Sequence, residues 1–200
     1  MTPALVNLPV WVVQLLRRSA HFILALCLLL SASYPSLAHE QQERRLQIAL
    51  NLFPNVISLD QQLEQKLDPQ GRLHLLLVYD HHYKRTETLR LQLAGRIDSI
   101  RKIPVVFSIA TISELTDARD VAAVFIADTL DDDMFTSLLE TAVQRKIIIF
   151  SPHPGDVERG ATIGLSISSK ILPYYNAATI QKSTIKFHPM FLNVAKRYEE

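Results

Sequence analysis

Three short runs of almost unbroken apolar residues constrain the fold of this 200-residue sequence more than any other feature. Each run has the length of a β-strand, and a strand that lacks polar alternation is buried on both faces, as in a parallel sheet covered by helices. A further strand is predicted at 105–109, after Pro104. The three runs are LHLLLVYD (73–80), VAAVFIA (121–127) and IIIF (147–150).

Helical segments alternate with these strands. The apolar residues after the first strand lie on one face of a predicted helix, and Thr86 is the expected N-cap of that helix. After the strand at 121–127, a segment begins with three aspartates (131–133) and ends with Arg145, with Thr129 as its predicted N-cap. Acidic residues at the start and basic residues at the end complement a helix dipole. Strands and helices that alternate in this way predict an open α/β sheet with right-handed connections.

The two ends of the predicted domain depart from this alternation. Residues 43–53 have the spacing of an amphipathic helix, which we expect to end before Pro54. Residues 162–168 and 170–175 predict an antiparallel hairpin. A last helix is expected from Pro189, with Phe191, Val194, Ala195 and Tyr198 on its inner face. The expected fold is therefore a single three-layer α/β domain (39–200), with a mainly parallel sheet, helices on both faces and an antiparallel C-terminal edge hairpin.

The first 38 residues have the layout of a secretory signal peptide. Arg17 and Arg18 precede an apolar run at 22–30, and small residues precede the expected cleavage site after Ala38. The run is shorter than the roughly 20 residues that span a bilayer. The alternative is an uncleaved anchor, because a second apolar stretch occupies 5–16. We expect cleavage, export through the inner membrane and a periplasmic location.

Removal of this segment changes both the charge and the redox chemistry of the chain. The remaining residues include 19 basic and 20 acidic side chains, which is not the basic excess of a nucleic-acid-binding protein. The single cysteine, Cys27, leaves with the predicted signal peptide. We therefore expect no internal disulfide and no thiol chemistry.

The C-terminal stretch ATIGLSISSKILPYYNAATIQKSTIKFHPMFLNVAKRYE (161–199) resembles the corresponding segment of the YfiR-like periplasmic family. In that family a glycine-bearing strand pair leads to an asparagine, small residues follow, and a phenylalanine-containing segment enters a final helix. Upstream, the segment IALNLFPNVI (48–57) is similar to the family's opening helix and to the Phe-Pro pair that follows it. The matching C-terminal positions are Asn176, Ala177, Ala178, Phe187, Leu192 and Ala195.

The resemblance implies an α/β periplasmic domain that binds rather than catalyses, and that restrains a membrane-bound signalling protein such as a diguanylate cyclase or a sensor kinase. Some members carry cysteines linked to redox control, and the predicted mature chain departs from them because it has none. The alternative function is that of a periplasmic solute-binding protein for a transporter or sensor, which an α/β pattern permits. A homodimer and an unidentified small-molecule ligand are compatible with the sequence.

Polar residues follow the runs at 73–80 and 121–127, at the edge where open α/β sheets bind ligands. His81, His82 and Arg85 follow the first strand, where they could bind an anion or a metal. Adjacent histidines on an extended chain point in opposite directions, so we favour solvated loop residues. Asp128 and the aspartates at 131–133 could hold a cation such as magnesium, but their fit to a helix dipole favours a structural role.

Asn176 is the remaining candidate residue. Its amide could face a ligand or partner, although asparagine after a strand more often turns the chain into a helix. Ser151 and His153 lie two residues apart, but the sequence has no G-x-S-x-G nucleophile motif. It also has no G-x-G-x-x-G motif and no Walker loop. We therefore expect no enzyme activity, no cofactor and no metal site.

Overall fold

The structure, a computed structural model, describes residues 34–199, without the side chains of residues 34–38 and of Thr116. The chain divides into two compact units, Met1–Arg44 and Arg45–Glu200, and the second unit contains the whole sheet. The predicted signal peptide (1–38) lies almost entirely outside the described residues and stays a prediction. Within residues 34–199, no helix combines the length and the apolar character needed to cross a bilayer.

The elements alternate between helix and strand through the middle of the chain. A 3-10 turn at Leu63–Lys66 precedes the first strand. The helices are α1 (Tyr34–Ile57), α2 (Tyr83–Ala94), α3 (Ile112–Asp117), α4 (Asp132–Arg145), α5 (Asp156–Arg159), α6 (Ala177–Ser183) and α7 (Pro189–Val194). The strands are β1 (Leu73–Val78), β2 (Ser99–Ile100), β3 (Ile103–Ala110), β4 (Val121–Ile126), β5 (Ile148–Phe150), β6 (Ile163–Ile167), β7 (Ile171–Asn176) and β8 (Lys196–Tyr198).

These strands form one mixed sheet in the order β2-β3-β1-β4-β5-β6-β7-β8. The five strands from β3 to β6 in this order pair in parallel. Antiparallel pairs occur at both sides, where β2 pairs with β3 and β7 pairs with β6. The predicted α/β class, with a mainly parallel sheet and an antiparallel C-terminal hairpin, is confirmed.

Helices cover both faces of the sheet. Leu75 and Leu77 belong to a core that also contains apolar residues of α1, α2 and α7, whereas Leu76 and Val78 belong to a core shared with α3 and α4. Successive residues of a strand point to opposite faces, so the two clusters lie on opposite sides of β1. The predicted three-layer arrangement is therefore also confirmed.

Several predicted helix boundaries are wrong, and the first three concern α1, α2 and α4. Helix α1 continues through Pro54 to Ile57, because the burial of Phe53 and Ile57 outweighs the hydrogen bond that proline cannot donate. Thr86 does not cap α2, which begins one turn earlier, and its side chain is fully buried. Asp131, rather than Thr129, caps α4, since its side chain accepts a hydrogen bond from the Met134 N–H at 2.8 Å.

The predicted last helix is too long. Helix α7 ends at Val194, which is 58% exposed instead of facing inward, and the next residues form β8. Strand β8 pairs in parallel with β7, where Tyr174 lies opposite Lys196. Lys196 Nζ lies 4.9 Å from the centre of the Tyr174 ring, and Tyr198 packs edge-on against the same ring. Pairing with the open edge of β7 is therefore more favourable for residues 196–198 than continuation of the helix.

The β6–β7 hairpin projects beyond the rest of the sheet. Strand β6 begins where β5 ends, since the register places Ile163 opposite Phe150. The four following residues of β6 therefore extend roughly 13 Å past β5, at about 3.3 Å per residue. On the other side, β8 pairs only with the second half of β7, Tyr174 to Asn176. We call residues 167–172 the hairpin tip.

Candidate functional site

The parallel strands create a crevice at the point where the chain changes direction along the sheet. Strand β1 lies between β3 and β4, so the chain first moves from β1 to β3 on one side and then crosses β1 to reach β4 on the other side. In open α/β sheets, ligands bind outside the carboxyl ends of the strands at such a point. Here the crevice is bounded by the loop after β1 (79–82) and the loop after β4 (127–131). We call it the switch-point crevice.

The Asp128 carboxylate fills the switch-point crevice. Its Oδ2 atom accepts hydrogen bonds from the backbone N–H groups of Asp80, His81 and His82 at 3.1, 3.2 and 2.9 Å. Its Oδ1 atom lies 3.1 Å from Nδ1 of His82. The side chain belongs to the loop after β4, yet it fixes the loop after β1, and the residue is only 4% exposed.

The electrostatics of Asp128 follow from these contacts. Burial alone would raise its pKa, but the backbone hydrogen bonds and the neighbouring His82 hold the pKa below its ordinary value. The carboxylate is therefore ionised at neutral pH. N–H groups that point into such a crevice are the usual partners of a phosphate. In this chain they already bind an internal anion.

The sequence-predicted residues of the first loop separate in the structure. His81 Nε2 lies 3.0 Å from Asp80 Oδ2, whereas His82 contacts Asp128, so the two exposed imidazoles have different partners. Arg85 lies half-buried in the first turn of α2. Within residues 34–199, no group of three or more His, Cys, Asp or Glu side chains is arranged to hold a metal ion.

The aspartates at the start of α4 make structural contacts. Asp131 caps the helix, and Asp132 Oδ1 accepts a hydrogen bond from Arg159 Nη2 at 2.8 Å. The same guanidinium also contacts Asp156 at 3.0 Å and stacks over the Phe135 ring, 4.1 Å from its centre. Arg159 thereby joins α5 to the first turn of α4. Asp131 and Asp132 therefore have partners within the protein, so their placement is explained without a cation.

Ser151, His153 and Asp156 lie together after β5, but they do not form a nucleophile–base pair. The Ser151 hydroxyl donates to Asp156 Oδ2 at 2.5 Å and accepts from the backbone N–H of His153 at 3.1 Å. Nε2 of His153 is buried and has no hydrogen-bond partner among the described residues. Burial lowers the pKa of His153, although Asp156 and Asp128 oppose the shift. The imidazole is therefore neutral at pH 7, and the hydrogen bonds of the hydroxyl go to Asp156 and to the His153 backbone rather than to the His153 ring.

Asn176 lies apart from the other candidates, because β5 and β6 separate its strand from β4. Its Oδ1 atom accepts from the Thr179 N–H at 2.9 Å and caps α6. Its Nδ2 atom donates to the Val157 carbonyl at 2.8 Å. Both ends of this buried amide thus have partners within the chain. The structure brings His81, His82 and Asp128 together and places Asn176 elsewhere.

Sequence reasoning missed one residue that organises the carboxyl edge of the sheet. Arg45 Nη2 donates to the Leu165 carbonyl at 2.5 Å, and Arg45 Nε donates to the Pro152 carbonyl. Burial lowers the pKa of Arg45, although Glu158 opposes the shift. The side chain fixes α1 to β6 and to the end of β5. No local signal in the sequence identifies it, because its partners are backbone carbonyls more than 100 residues away.

Sequence reasoning also missed the exposed apolar surface of the hairpin tip. Ile167 and Ile171 lie directly opposite each other on adjacent strands, and each is 45% exposed. Leu172 is 36% exposed. The isoleucines flank a polar turn, and this pattern in the sequence predicts strand pairing but not exposure. What the sequence could not show was that the hairpin projects and leaves these side chains uncovered.

No family model matches the chain, and no curated protein matches it. Among the solved structures with a similar backbone are the following two. One is an ABC domain in complex with L-Trp from Streptococcus pneumonia, with a TM-score of 0.45 and 12% identity over 71% of this chain and 60% of that one. The other is a conserved domain protein from Vibrio cholerae O1 biovar El Tor strain N16961, with a TM-score of 0.48 and 15% identity. That match covers 68% of this chain and 57% of the other, so the chain spans about 60% of the length of each structure.

Proposed function

We propose that this chain is an exported, non-catalytic accessory protein that docks on a membrane-bound signalling protein and modulates it. The observation that carries the proposal is the exposed apolar character of the hairpin tip, with Ile167 and Ile171 on one face and Leu172 on the other. The tip lies at the end of a hairpin that extends roughly 13 Å past β5.

The tip combines two features of protein-docking surfaces. Ile167 and Ile171 lie side by side on one face of the hairpin, and Leu172 is exposed on the other face. Burial of each side chain by a partner would contribute about 1 kcal/mol from its half-exposed position. In addition, β8 covers only the second half of β7, which leaves the outer edge at 171–173 without a strand partner in the described part of the chain. An extended segment of a partner can align along such an edge.

The class of partner comes from the resemblance to the YfiR-like family, which implies a diguanylate cyclase or a sensor kinase with a periplasmic domain. The predicted signal peptide supports a periplasmic location for the encounter. The switch-point crevice supports a binding role without nucleotide, because Asp128 already uses the N–H groups that would bind a phosphate. The competing function is solute binding for a transporter or sensor.

Site-specific photo-crosslinking in the producing cell tests the docking surface. A photoreactive side chain at Ile171 should crosslink to an inner-membrane protein that carries a cytoplasmic cyclase or kinase domain. The matched control is Leu91 on α2, which is 55% exposed but lies far from the tip in the sheet order. Crosslinking to a permease from Ile171 would support solute binding, and equal products from both positions would contradict docking at the tip.

A functional measurement separates regulation from mere contact. The double variant Ile171→Ser, Leu172→Ser should change the signalling output to the same extent as deletion of the gene, while Leu91→Ser should leave it unchanged. Both altered sites are exposed, so the free energy of unfolding should differ little from that of the parent chain. An unaltered signalling output in the deletion strain would disprove the regulatory role.

A further inference from the structure

An open groove of about 410 Å³ lies at the end of β7 opposite to the hairpin tip. It is bounded by β7, by helix α6 and by the segment that leads into α7. Neither the switch-point crevice nor the hairpin tip contributes a residue to it. We call it the C-terminal groove, and its size is within the range of small-molecule sites in proteins.

The floor of the C-terminal groove is apolar. Ile180, Ile185 and Leu192 line it, together with the ring of Tyr175. Ile185 and Tyr175 are buried in the main core, and the other two are half-buried, so the floor is part of a packed structure. A floor of this kind can accept a hydrocarbon group of a ligand by removing apolar surface from water.

Two cations line the same groove. Lys186 and Arg197 are both exposed, and no carboxylate lines the groove with them. Arg197 Nε contacts Glu199 at 2.9 Å, but both side chains are well exposed, and such surface pairs contribute little. A ligand anion can therefore compete for the guanidinium, so the groove has an apolar floor and a positively charged rim.

The wall of the groove contains a strained residue. Thr184 follows α6 with a φ of 55°, in the left-handed region that glycine or asparagine usually occupies at the end of a helix. A β-branched residue in this conformation is an outlier, and such strain is concentrated at ligand sites and other functional positions. The strain coincides here with the cavity and with the two cations.

We propose that the C-terminal groove binds a free medium-chain aliphatic carboxylate. The hydrocarbon chain lies on Ile180, Ile185 and Leu192, and the carboxylate pairs with Lys186 and Arg197. This assignment goes beyond the docking function and does not depend on it, because the two surfaces share no residue. Binding can fail while docking holds, and docking can fail while binding holds.

A series of simple probes tests the assignment on the protein as isolated from expressing cells. Calorimetric titration with decanoate below its micellar concentration should show saturable binding, and decanoate should raise the melting temperature by mass action. Acetate should not bind measurably, since it lacks the apolar group, and decanol should bind more weakly, since it lacks the charge. Equal affinity for acetate and decanoate, or for decanol and decanoate, would overturn the proposal.

Charge variants locate the site. The double variant Lys186→Gln, Arg197→Gln should weaken decanoate binding about tenfold, and Glu199→Gln should strengthen it because Arg197 loses its competing partner. Lys182→Gln is the matched control, since this exposed lysine of α6 does not line the groove. Unchanged affinity in the double variant, or an equal loss in the control, would disprove the site. Binding only to anionic lipid vesicles, without binding of free decanoate, would also disprove it.

Discussion

At the scale of single residues, Asp128 determines what the switch-point crevice can bind. The crevice has the position and the inward-pointing N–H groups of an anion site, and the buried carboxylate uses three of these groups at once. Sequence reasoning placed Asp128 at this edge because it follows a buried strand. It could not identify the partners, because they are backbone groups of a loop 46 to 48 residues away.

The charge of Asp128 makes part of the protein's stability depend on pH. Its pKa is lower in the folded chain than the unfolded value of about 3.9. Its contribution is therefore complete above the unfolded pKa and is lost as pH falls through the folded pKa. Asp128→Asn should lower the free energy of unfolding by about 1 to 3 kcal/mol at neutral pH and flatten the acid dependence. Urea unfolding between neutral and acidic pH measures both effects.

Asp133→Asn is the control for this prediction. Asp133 lies exposed in the first turn of α4, so its replacement removes only a helix-dipole contribution of about 0.3 to 1 kcal/mol. If Asp128→Asn and Asp133→Asn had equal effects, the buried hydrogen bonds of Asp128 would not have the role described above.

Asn176 gives a second prediction at this scale. Asn176→Ala should lower the free energy of unfolding by about 1 to 3 kcal/mol, because it removes a helix cap and leaves the Val157 carbonyl without its donor. Asn176→Asp keeps the acceptor for the Thr179 N–H but loses the donor, so a comparison of the two variants by denaturant unfolding separates the two bonds. A stable Asn176→Ala chain that no longer crosslinks to its partner would contradict a structural role.

At the scale of elements, local patterns identified the strands and helices better than their ends. The apolar runs predicted β1 and β4 correctly, because a strand that is buried on both faces lacks the usual alternation of apolar and polar residues. Acidic residues in its first turn and a basic residue in its last turn predicted helix α4. The ends depended on tertiary contacts: α1 passes Pro54 because its last turn is buried, and the chain leaves α7 early because β7 offers a free edge.

The turn between β2 and β3 gives a prediction for an element that the sequence did not reveal. This two-residue hairpin turn has positive φ at both central positions, 52° at Arg101 and 68° at Lys102. Such turns normally contain asparagine and glycine, because other residues are strained there. Lys102→Gly should therefore raise the free energy of unfolding by about 1 kcal/mol. Denaturant unfolding measures the gain, and Lys84→Gly, in the first turn of α2, is a control expected to give none.

At the scale of the whole molecule, the sheet is least extensively paired between β5 and β6, and we call this short junction the weak line. The register joins these strands through Phe150 and Ile163, whereas β1 shares six residue pairs with β3. Two further hydrogen bonds cross this line: Ser151 N–H donates to the Ile163 carbonyl at 2.9 Å, and Ile149 N–H donates to Thr162 Oγ1 at 3.1 Å. The proposed docking hairpin lies beyond it, so the placement of the hairpin relies on few backbone contacts. The C-terminal groove is held in addition by backbone hydrogen bonds from the Gln61 N–H to the Lys186 carbonyl at 2.8 Å and from the His188 N–H to the Leu59 carbonyl at 2.9 Å.

The sequence predicted the hairpin and a last helix in this C-terminal part, but it predicted neither β8 nor the way in which this part is attached to the sheet. The hairpin was readable from apolar residues on both sides of a polar turn, and Asn176 from its position after a strand. The short overlap of β5 with β6 depends on where each strand ends in space, which periodicity does not encode. For the same reason the exposed side chains of the hairpin tip and the C-terminal groove could not be predicted.

Thr162 tests how the C-terminal part is held. Thr162→Val keeps the shape of this buried side chain but leaves the Ile149 N–H without an acceptor, which should cost about 1 to 3 kcal/mol. Hydrogen exchange should accelerate more in β6, β7 and β8 than in β1 and β4, because the lost bond belongs to the weak line. Thr162→Ser keeps the hydroxyl and should preserve this pattern despite losing a methyl group. Uniform acceleration across all strands of Thr162→Val would mean that the sheet opens as one unit, and that the hairpin has no independent motion.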